Sequence, residues 1–333
     1  MTFPQDNNRK STLHDQRADP APEVIKPVSA ASLSIKAAAQ SARPPFLVLA
    51  PICVLLGLAI AIHNGLEINI LNAVLAFTGA LFAHISVNAL NEFHDFKTGL
   101  DLNTQRTPFS GGSGALPSNP LASNAVLALG VSTLLLTALI GCYFITTIGW
   151  QIAPVGLLGL ILTAAYTPWL NRHPILCLLA PGAGFGVAIV VGTYIVSTGD
   201  TAQLPWLALL LPFSFSNNLL LLNQYPDVAP DKEAKRNTFP IAFGAKTSNT
   251  VMTIFFAIGY LIIVYLVMNG TLPLTALAPL ATLPLALFTL TVASKLGLGI
   301  SESNLGLKAM TCNVVVAVVS PLLLAVSLIV SAN

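Results

Sequence analysis

The stretch NALNEFHDFKTGLD, residues 88–101, follows about twenty nearly uncharged residues and decides how the chain is interpreted. Its polar residues Asn88, Asn91, Glu92 and Asp95 are spaced i, i+3, i+4 and i+7, so on a helix they form one continuous stripe. Carboxylates this close together repel one another and are costly beside a low-dielectric region. The stripe therefore predicts a site that holds cations, and its oxygen ligands favour a hard divalent ion.

The composition predicts a membrane protein. Hydrophobic residues make up 54% of the 333 residues and charged residues 8%, and the mean hydropathy is +0.77. An ordinary soluble domain has about 25% charged residues. The four cysteines show no metal-binding or redox spacing, so they are interpreted as small core residues.

Apolar windows of membrane-spanning length recur from Pro45 onward. They predict nine transmembrane helices, at about 46–63, 69–91, 122–143, 149–167, 175–197, 203–222, 249–268, 272–293 and 309–331. Residues 1–44 are polar and carry mixed charge without an apolar run, which predicts a disordered cytoplasmic tail. The domain expectation is thus a tail over 1–44 and an all-α, nine-helix membrane domain over 45–333.

The basic residues predict the orientation in the membrane. With nine spans, all 15 Lys and Arg fall in the tail and in the loops after spans two, four, six and eight. By the positive-inside rule this places the N-terminus in the cytoplasm and the C-terminus outside it. We expect a multi-pass protein of a bacterial-type inner (plasma) membrane.

A second polar motif, NQYPDVAPDKEAKRNTFP at residues 223–240, ends the sixth predicted span on the same membrane face. Asn223, Asp227 and Asp231 are spaced i, i+4 and i+8, although Pro226 and Pro230 forbid a regular helix through the motif. Two facing acidic clusters predict a pair of Mg²⁺ ions, which take one or two carboxylates each while binding substrate phosphate oxygens.

Basic residues interleave with these acids, and arginine offers a bidentate fork that suits phosphate. They are Lys97, Arg106, Arg172, Lys232 and Arg236. A site rich in both charges favours a metal–diphosphate complex over a bare metal ion. An ion transporter is the less favoured alternative, because it predicts carboxylates near the middle of the bilayer.

The two motifs resemble the aspartate-rich motifs of the UbiA superfamily of intramembrane prenyltransferases, above all in the 1,4-dihydroxy-2-naphthoate polyprenyltransferase branch. There the first motif reads approximately N-x-x-N-D-x-x-D with a further Asp six residues on. The second reads D-x-x-x-D followed by G-K-x-T-x-P. An Arg-Pro pair at Arg43 and Pro44 also fits, so the resemblance covers residues 43–331.

The resemblance implies a nine-helix bundle around a central cavity, with a polar cap over its cytoplasmic end. It implies Mg²⁺-dependent transfer of a polyprenyl group from polyprenyl diphosphate to an aromatic acceptor, 1,4-dihydroxy-2-naphthoate or a similar quinone precursor. A related enzyme with another acceptor, or a terpene cyclase, is the alternative. The bilayer is the remaining expected partner, and no nucleic acid is expected.

The resemblance also assigns roles to residues. The predicted metal ligands are Glu92, Asp95, Asp101, Asp227 and Asp231. The predicted catalytic residues are Asp95, Asp227 and Arg236. The predicted substrate-binding residues are Asn88, Asn91, Lys97, Arg106, Tyr166, Arg172, Asn223 and Lys232.

Two positions depart from the family pattern. Glu92 replaces the usual Asp and lengthens the side chain by one methylene, and Lys235 stands where Gly is usual. The run SGGSG at residues 110–114 lacks the Lys-Ser/Thr of a P-loop. It is interpreted as a mobile lid over the site, with a plain linker as the alternative.

Overall fold

A computed structural model describes residues 1–2, 30–104 and 106–332, and within these ranges the chain is all-helical. This confirms the predicted fold class. The α-helices are α1 Ala30–Ser41, α2 Leu49–His63, α3 Ile70–Lys97, α4 Leu100–Asn103, α5 Ala115–Ser118, α6 Ser123–Thr147, α7 Ala153–Ala165, α8 Pro174–Pro181, α9 Val190–Thr198, α10 Leu210–Asn223, α11 Val228–Glu233, α12 Phe239–Met268, α13 Leu283–Leu296 and α14 Asn304–Ser331.

Seven helical segments of the described chain are long and apolar enough to cross a membrane, or eight if a bent pair counts as one span. The bent pair joins Ser32–Phe46 to Leu49–His63 at 49°. The fourth predicted span corresponds to the shorter apolar helix Trp150–Ala165, which at 1.5 Å per residue falls short of a layer about 30 Å thick. The structure thus gives a multi-spanning membrane protein, while nine spans stays a prediction.

The last part of the predicted tail contains a helix, because α1 occupies Ala30–Ser41. The sequence there, AASLSIKAAAQS, is rich in alanine, the strongest helix former. Ala37 is buried at 3% exposure in a small cluster with Ala89, Leu116 and Val126. Small side chains allow this close packing without an apolar run in the sequence. Residues 3–29 of the predicted tail lie outside the described residues.

Helix α3 carries the first motif, and both of its ends have clear causes. The side chain of Asn69 accepts a hydrogen bond from the Asn72 amide at 3.1 Å, which caps the start. After Lys97 the chain turns at Gly99, whose φ of 78° is left-handed and ends the helix. The motif residues up to Lys97 therefore form the predicted helical stripe, and Asp101 lies beyond the turn in α4.

The second motif is broken where its prolines require it. Helix α10 ends at Asn223, and the short α11 begins at Val228. Asp227 lies in the intervening turn, and Asp231 lies within α11. The two acids therefore do not share one helix with Asn223.

A π-helical segment, Gly182–Ile189, connects α8 to α9 and packs closely on α10. A Cβ added at Gly182 would lie 2.5 Å from the Phe213 carbonyl, so this contact requires glycine. The Gly182 amide donates to Asn217 Oδ1 at 2.6 Å. The close contact sets Phe185 of the π-helical segment beside the end of the bundle at which α3 and α10 finish, here called the acidic end.

Candidate functional site

The two motifs meet at the acidic end through Arg236. Its Nη1 donates to Asp231 Oδ1 at 3.0 Å, and its Nη2 forms an ion pair with Asp95 of α3. Asp95 and Asp231 are both buried, at 5% and 3% exposure. Since a buried carboxylate is stable only when it is compensated, the guanidinium holds the two motifs together.

A cavity of about 220 Å³ lies between the motifs. The predicted site residues that line it are Asn88, Asn91, Asp95, Asp101, Tyr166, Asn223, Asp227, Asp231 and Arg236. These come from α3, α4, the segment after α7, the end of α10 and the chain up to the start of α12. The structure thus brings residues from five separate parts of the sequence to one place.

Four predicted substrate-binding residues do not line this cavity. Lys97, Arg106, Arg172 and Lys232 are all exposed. Lys97 lies two positions after Asp95, which on a helix points it to another side, and its Nζ is 5.5 Å from the centre of the Phe93 ring. The sequence places these charges near the acids, but the fold does not bring their side chains to the cavity.

Glu92 is buried, at 1% exposure, but it does not line the cavity. Both of its carboxylate oxygens accept hydrogen bonds from Ser113, from the amide at 2.8 Å and from the hydroxyl at 2.7 Å. Its carboxylate is therefore directed to the loop before α5, and its role as a metal ligand stays a prediction.

The loop Ser110–Gly114 covers the carboxylates of the site. The Gly111 amide donates to Asp227 Oδ2 at 3.3 Å. Gly112 packs on Asp101, because a Cβ added there would lie 2.7 Å from Asp101 Oδ1. The loop thus occupies the position expected of a lid, and its mobility stays a prediction.

The asparagines of the first motif have structural partners. Asn88 Nδ2 donates to the Ala42 carbonyl at 2.9 Å, next to Arg43. Asn91 Nδ2 donates to Thr167 Oγ1 at 3.0 Å. These bonds fix the two chain segments that bring Arg43 and Tyr166 to the cavity.

Seven buried polar atoms of the cavity lining have no hydrogen-bond partner within the described chain. They are His84 Nδ1, Asp101 Oδ2, Asn171 Oδ1, Asn223 Oδ1, Gln224 Oε1, Asp227 Oδ1 and Thr238 Oγ1. Five of the seven are carboxylate or amide oxygens, which as carboxylates and amides accept hydrogen bonds. Because buried polar atoms are normally paired, this lining is suited to a ligand that brings cations or hydrogen-bond donors.

The oxygen donor set fits magnesium bound together with a substrate. Among the described residues, no three His, Cys, Asp or Glu side chains are grouped closely enough to hold a metal ion by themselves. Mg²⁺ does not need such a group, since it usually binds one or two carboxylates, several waters and substrate phosphates. Asp101 and Asp227 each offer an unpaired carboxylate oxygen for this purpose.

The same crowding disfavours negative charge in the absence of a cation. Burial, with the nearby Asp95 and Glu92 carboxylates, raises the pKa of Asp101 to about 8. Burial and the Asp231 carboxylate raise the pKa of Asp227 to about 7. Burial also raises the pKa of Asp231, against the opposing effect of Arg236. The carboxylates of the site therefore stay charged most readily when a cation is present.

The sequence interpretation missed several lining residues: Arg43 as a site residue, His84, Asn171, Phe185, Gln224 and Thr238. His84 could have been found, because it precedes Asn88 by four residues and continues the polar stripe one turn further into α3. Its ring packs edge-on against Phe185, with centroids 4.8 Å apart. Asn171 and Thr238 carry no sequence signal, since the fold alone brings their segments together.

A second, apolar cavity of about 720 Å³ lies between α3, α6, α7 and α9. On α3 it begins at Ala83, the residue next to His84, and on the π-helical segment it begins at Ala188, one turn after Phe185. The His84–Phe185 ring pair therefore lies at the boundary between the polar cavity and the apolar one.

Comparison with known proteins agrees with this geometry. A relative from Bacillus subtilis (strain 168), 1,4-dihydroxy-2-naphthoate octaprenyltransferase, is 26% identical over 241 residues, which cover 69% of this chain and 73% of that protein. A UbiA homologue from Archaeoglobus fulgidus, solved with bound DMAPP and Mg²⁺, matches with a TM-score of 0.62 at 16% identity. That match covers 88% of this chain and 99% of the archaeal chain.

The apo structure of a UbiA homologue from Aeropyrum pernix K1 has the same fold, with a TM-score of 0.63 at 16% identity. The match covers 86% of this chain and 98% of that one. The family model for UbiA prenyltransferases matches residues 50–296, a range that includes both acidic motifs. The protein described here therefore belongs to the UbiA prenyltransferase family.

Proposed function

We propose that this prenyltransferase moves a polyprenyl group from polyprenyl diphosphate to 1,4-dihydroxy-2-naphthoate or a similar aromatic quinone precursor, with Mg²⁺ as cofactor. The observation that carries the proposal is the cavity between the two motifs, whose lining combines unpaired acceptor oxygens with the largely buried guanidinium of Arg236. The Bacillus subtilis relative named for this acceptor supports the acceptor class. The archaeal homologue bound to DMAPP and Mg²⁺ supports the donor and the metal.

The diphosphate would lie at the acidic end. Mg²⁺ would be held by the carboxylates of Asp95, Asp101, Asp227 and Asp231. Asp101 and Asp227 each have a carboxylate oxygen without a hydrogen-bond partner, which is free to bind the ion. When bound, Mg²⁺ would neutralise the charge that develops on the diphosphate as the allylic C–O bond breaks. Arg236 lies among these acids and can shift its hydrogen bonds from carboxylate to phosphate oxygens.

The acceptor and the reacting carbon would lie deeper, where the cavity lining becomes aromatic. An electron-rich ring carbon of the acceptor captures the allylic cation, and an aromatic face can stabilise that cation beforehand. Tyr166 and Phe185 both line the cavity. Tyr225, by contrast, does not line the cavity, and its hydroxyl donates to Asn249 Oδ1 at 2.7 Å. Tyr166 is therefore the better candidate for stabilising the cation.

The prenyl chain needs apolar surroundings, and the apolar cavity next to His84 and Phe185 supplies them. It is lined by small residues such as Gly141, Gly156 and Gly159, at which an added Cβ would meet nothing within 4 Å. This open space supports a donor with a long chain. Entry from the bilayer would avoid exposing that chain to water.

The charge distribution supports a cytoplasmic acidic end. The loops that join α3 to α6, α7 to α8 and α10 to α12 all lie at this end and carry basic residues. The positive-inside rule then orients the enzyme with its diphosphate site toward the cytoplasm of a bacterial-type inner membrane. A reporter fused after the C-terminus should be active outside the cytoplasm.

The test is prenyl transfer by the purified protein in lipid vesicles. Radiolabelled polyprenyl diphosphate and 1,4-dihydroxy-2-naphthoate should give a labelled lipid product that requires Mg²⁺ and disappears in Asp227→Ala. If labelled product forms only with another aromatic acceptor, that acceptor replaces 1,4-dihydroxy-2-naphthoate in the proposal. A cyclised hydrocarbon formed without acceptor would replace the proposal by terpene cyclisation, and no diphosphate-dependent product of either kind would overturn it.

A further inference from the structure

We propose that Glu92 is a positioning residue that latches the Ser110–Gly114 loop over the site, instead of a ligand of the metal. The inference rests on the proposed function for its kinetic test, whereas its structural test does not need activity. It explains why the chain carries Glu at a motif position where the family pattern has Asp. It also gives the loop a defined role in the reaction.

The first step is that both oxygens of Glu92 are already engaged. Ser113 donates its amide hydrogen to Oε2 at 2.8 Å and its hydroxyl hydrogen to Oε1 at 2.7 Å. Hydrogen bonds to a charged acceptor are the stronger kind. Glu92 itself is 1% exposed and does not line the cavity that Asp95 and Asp101 line.

The second step is the anchoring of Ser113 itself. Its hydroxyl oxygen accepts a hydrogen bond from the Ala115 amide at 3.1 Å, and α5 begins at Ala115. Ala115 and Leu116 are buried in the cluster that also contains Ala89 of α3. The far side of the loop is therefore fixed to α3 by packing as well as by Glu92.

The third step is the position of the loop relative to the carboxylates of Asp227 and Asp101. With Ser113 fixed, the Gly111 amide reaches Asp227 Oδ2 at 3.3 Å, and Gly112 packs on the Asp101 carboxylate. Gly111 and Gly112 have left-handed φ angles of 78° and 75°, which favour glycine. A shift of the loop by one residue would remove both contacts, so the latch sets the position of the cavity roof.

The side-chain length is what distinguishes a latch from a ligand. An aspartate at position 92 would withdraw the carboxylate by about 1.5 Å, one C–C bond. Hydrogen bonds of 2.7 and 2.8 Å to Ser113 would then lengthen beyond the range in which they are effective. If residue 92 bound the metal, an aspartate should serve equally well, because aspartate is the residue at this position of the family pattern.

A latched roof would protect the reaction from water. The cation formed when the allylic C–O bond breaks can be captured by the acceptor ring or by water, which would give the prenyl alcohol and inorganic diphosphate. Closed loops over active sites exclude water and complete the site. Loss of the latch should therefore divert product toward the prenyl alcohol.

The structural test is hydrogen exchange of the full-length protein in vesicles, measured by mass spectrometry over residues 106–118. Glu92→Asp and Ser113→Ala should each raise exchange there by about tenfold, as expected for the loss of a hydrogen bond to a charged group. The double variant should show little further increase, because both changes remove one interaction. The matched controls are Glu67→Asp and Ser132→Ala, both at exposed positions away from the loop.

The kinetic test compares the same variants in prenyl transfer. A latch predicts that Glu92→Asp and Ser113→Ala raise the ratio of prenyl alcohol to prenylated acceptor by severalfold. If Glu92 were a metal ligand, Glu92→Asp and Ser113→Ala should leave this product ratio nearly unchanged. Glu92→Gln should then raise the half-saturating Mg²⁺ concentration. Unchanged loop exchange in both Glu92→Asp and Ser113→Ala overturns the latch even if transfer itself is confirmed. If no prenyl transfer is detected, faster exchange in both variants still supports it.

Discussion

Arg236 and Asp95 form an ion pair that joins the second motif to the first across 141 residues of sequence. The same guanidinium donates to Asp231 at 3.0 Å, so one positive charge serves a carboxylate from each motif. All three groups are largely buried. Breaking such an arrangement from one side leaves an uncompensated buried charge. Arg236 therefore has both an architectural role and a direct place in the site.

Arg236→Lys should keep the protein folded and lower kcat/KM for prenyl diphosphate by about tenfold to a hundredfold, because the compact ammonium of lysine lacks the planar fork with which arginine spans the two carboxylates. Arg236→Gln should lower it further and reduce thermal stability. Transfer assays and thermal unfolding in the same detergent measure both effects. Lys295→Gln, at an exposed position, is the control. Wild-type kinetics in Arg236→Lys would show that the bridge has no role in turnover.

The four exposed basic residues should contribute little individually. Replacing Lys97, Arg106, Arg172 or Lys232 by Ala should change kcat/KM by less than about threefold, since exposed charges interact weakly through water. Arg43, which lines the cavity, should be far more sensitive to the same change. A loss in any of the four as large as that in Arg43→Ala would restore it as a substrate-binding residue.

The magnesium requirement should depend on pH with a defined sign. The pKa of Asp101 is raised to about 8 and that of Asp227 to about 7, so without a cation each carboxyl keeps its proton until the pH passes that value. Metal binding must displace these protons. The half-saturating Mg²⁺ concentration should therefore fall as the pH rises from about 6 to about 8, by up to about tenfold per unit for each proton displaced.

Asp101→Asn removes one of these titrations and should flatten this dependence while raising the Mg²⁺ requirement at every pH. Chelation by EDTA should abolish transfer, and added Mg²⁺ should restore it. A Mg²⁺ requirement that does not change between about pH 6 and about pH 8 would contradict metal binding by these carboxylates.

Lys235 has a left-handed φ of 60°, which is unfavourable for a residue with a Cβ. Lys235→Gly should relieve this strain and stabilise the protein by about 0.5–1 kcal/mol, after the larger entropy loss of glycine on folding is included. Lys232→Gly is the matched control, because Lys232 lies within α11, where glycine destabilises by about 1 kcal/mol. Thermal shifts of opposite sign in the two variants are expected. A destabilised Lys235→Gly would show that the lysine side chain makes a compensating contact.

Those features that depend on local sequence could be predicted. The apolar segments and the end of α3 at Lys97 follow from hydropathy and from a glycine two residues later. The break between α10 and α11 follows from Pro226, whereas Pro230 lies in the first turn of α11, where proline is tolerated. Helix α1 could not be predicted from hydropathy, because Ala37 and Ala38 bury little area each and depend on a small cluster formed with α3, α5 and α6.

The site could be predicted as far as its two motifs, and less well beyond them. Asp95, Asp227 and Asp231 line one cavity because both motifs end helices at the same end of the bundle. Four of the predicted basic residues do not line the cavity, because proximity in sequence does not give the direction of a side chain. The partner of Glu92 is Ser113, 21 residues away in a loop, and no local pattern indicates such a contact.

The size of the apolar cavity should set how long a donor chain the enzyme accepts. Gly159 lines the apolar cavity, and a Cβ added there would meet nothing within 4 Å, so Gly159→Leu should place its side chain in the free space without a clash. A long polyprenyl chain would lose room that a five-carbon prenyl group does not need. We expect kcat/KM for the long donor to fall by about tenfold, the effect of about 1.4 kcal/mol, while kcat/KM for DMAPP changes by less than twofold.

The control is Ala257→Leu, on the exposed face of α12. It adds the same kind of bulk toward lipid and should leave kcat/KM for both donors unaffected. Equal losses for both donors in Gly159→Leu would show that the substitution disturbs the fold, and no loss for either would mean that the chain leaves the site by another path.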